Sequence, residues 1–406
     1  MSSWQRNVFA IATATFVGFT GFTVVMPFLP LYFQTLGLRD VGEIALWSGL
    51  SLGVTPALTA LLSPFWGRLA DRYGRKIMVE RSLFSFIVVM GGMAFVTRPW
   101  HVFALRAVQG FFAGYGALTL TMAADSAPRD RMASAIGTVQ TAQRLGPAIG
   151  PIIGGAVAQL VGLRWAFFVT AVFYVIALVL VFVMYDESEV HHELLKDRTT
   201  RLSFRSVLAF ENFILLMAVI FTLQFVDRSF GPVLPLFVTE LGTSAARAPL
   251  VAGLLFSLGA GTGAIGHHVC GALLRRASAR AVITASAGLG ALGALAYSVA
   301  GGIGLLIAGT PIFGLAIGVS TTAAYTAAGA VIPSAARGAG FGLLTTASLV
   351  GLAISPIVNG FLAATSIRAV FILDAVALLV LAAGVPRLML PEGSSPALTP
   401  ETAEDI

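Results

Sequence analysis

Charge is what this chain has least of. Of 406 residues only 11% are Asp, Glu, Lys or Arg, against roughly 25% in a typical soluble domain. So few charges cannot cover a soluble surface of this size, which excludes a soluble enzyme, a nucleic-acid binder and a disordered regulator. Cysteine is nearly missing: Cys270 stands alone, so there is neither an intrachain disulfide nor a cysteine-rich metal site. No Gly-rich loop ends in Gly-Lys-Ser/Thr, and direct ATP use goes with it. The spans also lack a Ser/His/Asp set and an HExxH pattern, which argues against a membrane-embedded enzyme. Loops mostly under about ten residues leave no folded outer domain for a receptor or scaffold.

Apolar sequence fills the space. Hydrophobic residues make up 57% and mean hydropathy is +0.89. A membrane-crossing helix needs about 20 such residues, and reading from charge to charge predicts twelve. They cover about 8–33, 44–66, 77–97, 101–124, 133–160, 165–185, 213–239, 248–274, 281–299, 303–331, 338–364 and 369–386. The first apolar run is too long for the h-region of a cleavable signal peptide. An even count puts both termini on one side. Sixteen Lys and Arg residues fall on that side and five on the other, so the positive-inside rule predicts cytoplasmic termini in the cell membrane. The net charge of +6 is thereby retention on the inner face, not affinity for nucleic acid.

The one long polar stretch, 186–212, splits the spans six and six. It carries His191, His192 and Glu193 and reads as a solvated linker rather than a metal site. The predicted organisation is a six-helix half at 1–185, the linker, a second half at 213–390 and a tail at 391–406. The halves repeat each other at an offset of 204–206 residues. Pro27-Phe-Leu-Pro30-Leu31 returns as Pro232-Val-Leu-Pro235-Leu236, Gly110 and Gly114 as Gly314 and Gly318, and Gly146, Pro151 and Gly155 as Gly351, Pro356 and Gly360. Duplicated helical halves are a signature of secondary transporters, whose substrate site lies between the repeats.

Three motifs carry chemistry. Between spans two and three stands Gly67-Arg68-Leu69-Ala70-Asp71-Arg72-Tyr73-Gly74-Arg75-Lys76. Span four carries Arg106-Ala-Val-Gln109-Gly110. Span five reads Gly146-Pro147-Ala-Ile-Gly150-Pro151-Ile-Ile-Gly154-Gly155, with an i+4 ridge of small residues on which another helix can approach closely. In this order they resemble the signatures of the major facilitator superfamily. The third is similar to the motif of its drug/proton antiporters, and Met26–Tyr32, Trp47–Gly49 and Ser63–Gly67 resemble the MdtG type of multidrug exporter.

The resemblance implies an all-α fold of twelve transmembrane helices in two pseudo-symmetric halves. It implies export of small amphiphilic, drug-like molecules by proton antiport and alternating access, without cofactor or metal, by a chain able to work as a monomer. Export of a metabolite such as a sugar, amino acid or siderophore remains an equal fit to the motifs. It further implies a cytoplasmic gate of Gly67, Asp71, Arg72, Gly74, Arg75 and Lys76, in which Asp71 meets the start of span eleven and bonds with Arg75 and Asp125. The second-half equivalent, Gly271 to Arg280, keeps its basic charge but has no aspartate, so the latch should be one-sided.

Relatives often place a carboxylate in span one, whereas Arg6 to Arg39 is charge-free here. The substitute proton carrier is Asp227 in span seven, with Asp374 a lesser candidate. Arg106 is either part of this coupling or a bridge to helix carbonyls. Glu80 and Arg81 are assigned to the gate's charge network. Arg144, about 16 Å into span five at 1.5 Å per residue, joins Arg228, Gln109, Phe22, Tyr115 and Tyr325 as the expected cavity lining. Arginines there favour anionic or zwitterionic amphiphiles, and Arg144 is free to pair with Asp227 across the halves. His267, His268 and Cys270 read as packing near the end of span eight.

Overall fold

The computed structural model describes residues 3–128, 131–187, 208, 210, 212–332 and 337–390. Every regular element among them is helical. In chain order the helices are α1 (Ser3–Val25), α2 (Leu29–Thr35), α3 (Val41–Tyr73), α4 (Arg75–Met93), α5 (Pro99–Phe111), α6 (Tyr115–Ser126), α7 (Met132–Val161) and α8 (Leu163–Met184). The second half continues with α9 (Phe213–Arg228), α10 (Leu234–Glu240), α11 (Ala248–Leu274), α12 (Ala279–Ser298), α13 (Ile303–Val331), α14 (Arg337–Ala363) and α15 (Ile367–Leu388).

Nine helical stretches among the described residues are long and apolar enough to cross a membrane. The other three predicted spans are helical too, and each falls short for a physical reason. α4 carries Arg75, Lys76, Glu80 and Arg81 in its first turns. Span four breaks between α5 and α6 at Gly114, whose φ is 126°, a conformation that favours glycine. Span seven breaks after Arg228 and resumes at Leu234. Span one breaks in the same way, through a 3-10 turn at Met26–Phe28. Pro27 and Pro30 in one half, and Pro232 and Pro235 in the other, remove the amide donors a continuous helix needs there.

The duplication reaches beyond proline and glycine. Asn7 donates to the Asp186 carbonyl at 2.8 Å and accepts from the Asp186 amide at 3.1 Å. Asn212 donates to the Leu390 carbonyl at 3.2 Å and accepts from the Leu390 amide at 2.9 Å. Each half thus clasps the start of its first span to the end of its last, at one end of the bundle.

Within the first half α1 packs along α7 and α8; between the halves α3 packs along α14, and α7 along α11. The close backbone approaches across the halves lie away from the termini. Gly42 meets Ala364, Gly49 meets Pro356 and Gly360, Gly53 meets Ala353, and Gly155 meets Pro249 and Leu250. Leu61, Phe65 and Leu145 are exposed.

Candidate functional site

The loop between α3 and α4 turns at Gly74, with φ of 95°. Arg75 and Asp125, which the resemblance implies bond with Asp71, form an ion pair with each other. The Asp71 side chain and residues 333–336 before span eleven lie outside the described residues, as do Arg129, most of the linker and the tail. The carboxylate at the start of α4 comes instead from Glu187. It accepts from the amides of Arg75 at 2.7 Å and Lys76 at 3.3 Å, an anion against a helix N-terminus. Lys76 Nζ answers by donating to the carbonyls of Phe182 at 3.0 Å and Tyr185 at 2.7 Å. The first residues after span six are therefore docked on the gate and are not a free linker. Arg72 lies over the Tyr73 ring at 5.3 Å, and Gly67 has open space around its Cα.

Glu80 feels Lys76 and Glu187 and belongs with this loop. Arg81 does not. Its guanidinium stacks on Trp66 at 3.4 Å and donates to the Phe112 carbonyl at 3.1 Å, so it braces the break in span four.

Arg106 is 1% exposed. It donates to the Ser51 carbonyl at 3.1 Å and to the Gln109 side-chain oxygen, and lies 5.8 Å from the Phe22 ring. Its electrostatic neighbour is Tyr174 of the same half, not Asp227. The bridging reading of Arg106 is the one the geometry matches. Gln109 and Tyr115 are buried as well; Tyr115 stacks on Phe19 and abuts Gly18. Both belong to the core of the first half and line no opening, a correction to their placement in the cavity. Burial is decided by which side of a helix faces its neighbours, and a helix apolar all round does not advertise that side.

The span-five ridge has a definite partner. Gly146 meets Phe19 and Thr20, Gly150 meets Thr20 and Thr23, and Gly154 meets Val24 and Phe28. These residues seat α7 on α1, while Gly155 presents the opposite half. Pro147 and Pro151 lie inside α7, which remains one continuous helix.

Arg144 faces across the halves. It is exposed and interacts electrostatically with Tyr325 of α13 and Asp227 of α9. It makes no ion pair with Asp227; that carboxylate pairs with its neighbour Arg228 at 3.3 Å, the two side chains being 39% and 48% exposed. Among the described residues Arg144 is thus left without a bound counter-charge. His267 joins the group: its Nδ1 is 2.7 Å from Thr322 Oγ1, and its ring interacts with Arg144. Sequence reasoning missed it as packing, although a titratable side chain inside an apolar span was a signal. Cys270 is buried.

Comparison with known proteins agrees with this architecture. A profile of the Major Facilitator Superfamily matches residues 11–316 and 269–405. The chain is 34% identical over 260 residues to a "Multi-drug resistance efflux pump PmrA homolog" of Lactococcus lactis, covering 63% of each protein. It is 35% identical over 257 residues to the "Multidrug resistance protein MdtG" of Serratia proteamaculans, covering 63% of this chain and 62% of that one. The matches therefore span under two thirds of these relatives. Among solved structures, an inward-facing bacterial homologue of the human lysosomal transporter Spinster superposes with a TM-score of 0.78 at 18% identity, covering 98% of this chain and 100% of the other.

Proposed function

The chain belongs to the Major Facilitator Superfamily, and on that premise, a multi-pass secondary transporter of a small molecule and not an enzyme, we propose that it exports amphiphilic, drug-like compounds by proton antiport. Both termini are cytoplasmic in this reading. The close glycine approaches between the halves then lie toward the outer side. The relatives named as multidrug efflux proteins support the substrate class.

The observation that carries the reading is the convergence of Arg144, Asp227, Arg228, His267 and Tyr325 between the halves. Asp227 is the carboxylate within reach of the opening. Its pair with Arg228 is partly in solvent, which leaves the carboxylate open to water. Arg144 supplies a planar cation suited to a carboxylate or phosphoryl group. The small-residue ridge on α7 holds that helix close against α1 within the first half.

Proteoliposomes carrying a pH gradient test this directly. Uptake of a carboxylated fluorescein dye should be driven by the gradient and accompanied by proton release. Arg144→Ala should weaken apparent dye affinity about tenfold, the scale of one charge-assisted hydrogen-bond pair, while leaving thermal stability unchanged. Equal transport of a cationic dye by both proteins, with no anionic dye moved by either, would reject the substrate class. Asp227→Asn that still couples transport to protons would reject the carrier.

A further inference from the structure

We propose that Asp374 is a second proton-carrying carboxyl, protonated in this conformation and discharged when the break in span seven moves. The proposal rests on reading the chain as a proton-coupled exporter and adds a site in the second half.

Asp374 lies on α15 with none of its surface exposed. Oδ2 is bonded to the Ser229 hydroxyl, and Oδ1 is buried without a hydrogen-bond partner among the described residues. The same hydroxyl lies 2.9 Å from the Val226 carbonyl. A carbonyl only accepts, and a serine hydroxyl has a single proton to donate. Ser229 can satisfy Val226 and still bond Asp374 if the carboxyl itself donates. The chain Asp374 O–H to Ser229 Oγ, then Ser229 O–H to Val226 C=O, completes both bonds with a neutral acid. The alternative leaves an ionised carboxylate in an apolar site with one neutral donor, an unfavourable arrangement.

No cation among the described residues offsets this. Arg368, on the same helix, donates to the carbonyls of Ser298 at 2.8 Å and Ala300 at 2.9 Å. On α9, Asp227 and Arg228 pair with each other. On α12, the Tyr297 hydroxyl is engaged by Thr310 of α13. On α14, Asn359 donates to the Ser355 carbonyl at 2.9 Å. The aromatic rings of Phe230, Tyr297 and Phe371 close in on one another beside the break.

The first half shows that packing alone requires no acid here. At the repeat offset, Asp374 corresponds to Thr170 and Ser229 to Val24. Thr170 bonds back to the Ala166 carbonyl at 3.0 Å. The acid and its serine occur together, in one half. Ser229 also begins the non-helical segment directly after Asp227 and Arg228. Any rearrangement of that break withdraws the acceptor from the carboxyl and admits water. The Asp374 O–H bond then breaks, its proton passing to water and leaving a carboxylate, and the next proton restores the acid.

Infrared difference spectra of the full-length protein in lipid test the protonation. The carbonyl stretch of a protonated carboxyl should be present in wild type, shift in Ser229→Ala and vanish in Asp374→Asn. A spectrum unchanged by Asp374→Asn overturns the proposal. Flux of ethidium and a carboxylated fluorescein dye, run in parallel under a pH gradient, tests the carrying. Asp374→Asn should release about one proton fewer per dye molecule, since a carboxyl carries one, and Asp374→Glu should restore it. An unchanged proton-to-dye ratio in Asp374→Asn overturns this site alone. A wild-type protein that moves no protons with either dye overturns the antiport reading instead.

Discussion

The two halves descend to one backbone and then part over what they bury. The first half holds a cation without an acid: Arg106, bonded to a carbonyl and an amide oxygen. The second holds an acid without a cation: Asp374, bonded to a hydroxyl. At the repeat offset Arg106 corresponds to Thr310, and Asp374 to Thr170. Each buried charge-bearing residue thus faces a threonine in the other copy, satisfied within its own neighbourhood. Backbone features have been kept in register, including the broken first span, the small-residue helix and the asparagine clasp. The polar interior has been free to diverge because its partners lie within one half and need not match across the pair.

The largest expected break in this comparison is steric. Gly154 corresponds to Asn359, but a Cβ at Gly154 would run into the Val24 carbonyl. Gly154→Asn should cost about 3 kcal/mol or more, the upper range for overpacking, and read as lost folded yield in thermal melts. Asn359→Gly removes a bond to Ser355 and should cost about 1–2 kcal/mol. Equal effects would mean that the two ridges are seated alike.

Buried polar groups come next. Arg106→Thr, which copies the second half into the first, leaves the Ser51 carbonyl and Gln109 oxygen without their donor and should cost about 2–3 kcal/mol. Thr310→Val loses its hydroxyl bond to Tyr297 and should cost about 1 kcal/mol. Chemical unfolding of the two variants would show whether the asymmetry is energetic as well as chemical. Smallest are the clasps. Asn7→Ala and Asn212→Ala should each cost about 1 kcal/mol and agree within a few tenths, because both make the same reciprocal pair of bonds. A large difference would show that one half depends on its clasp and the other does not.

Some of this could be read along the chain. Twelve apolar runs and the signature loop follow from residue type and spacing; that Arg75 and Asp125 share one network came only from the family resemblance. The breaks in spans one and seven were foreshadowed by their prolines, yet the apolar runs pass through them unmarked. Glu187 was hidden because its partners are the backbone amides of Arg75 and Lys76, more than a hundred positions away, and amides carry no sequence signal. Asn7 and Asn212 were hidden for the same reason. Tyr115 and Gln109 were misplaced, and His267 overlooked, because in a helix that is apolar on every side periodicity does not separate the face toward a neighbour from the face toward an opening.

Sequence by itself determined that this chain lives in lipid, that it is a duplicated bundle and that it belongs with transporters. Those conclusions depend on solvation cost per residue and on short motifs, both local quantities. Tertiary structure decided which charges are paired. It set Arg228 against Asp227, left Arg144 facing the opposite half, and closed Asp374 in with one serine. The cost of a buried charge depends on the few groups within hydrogen-bonding distance, and only the packed fold brings those together.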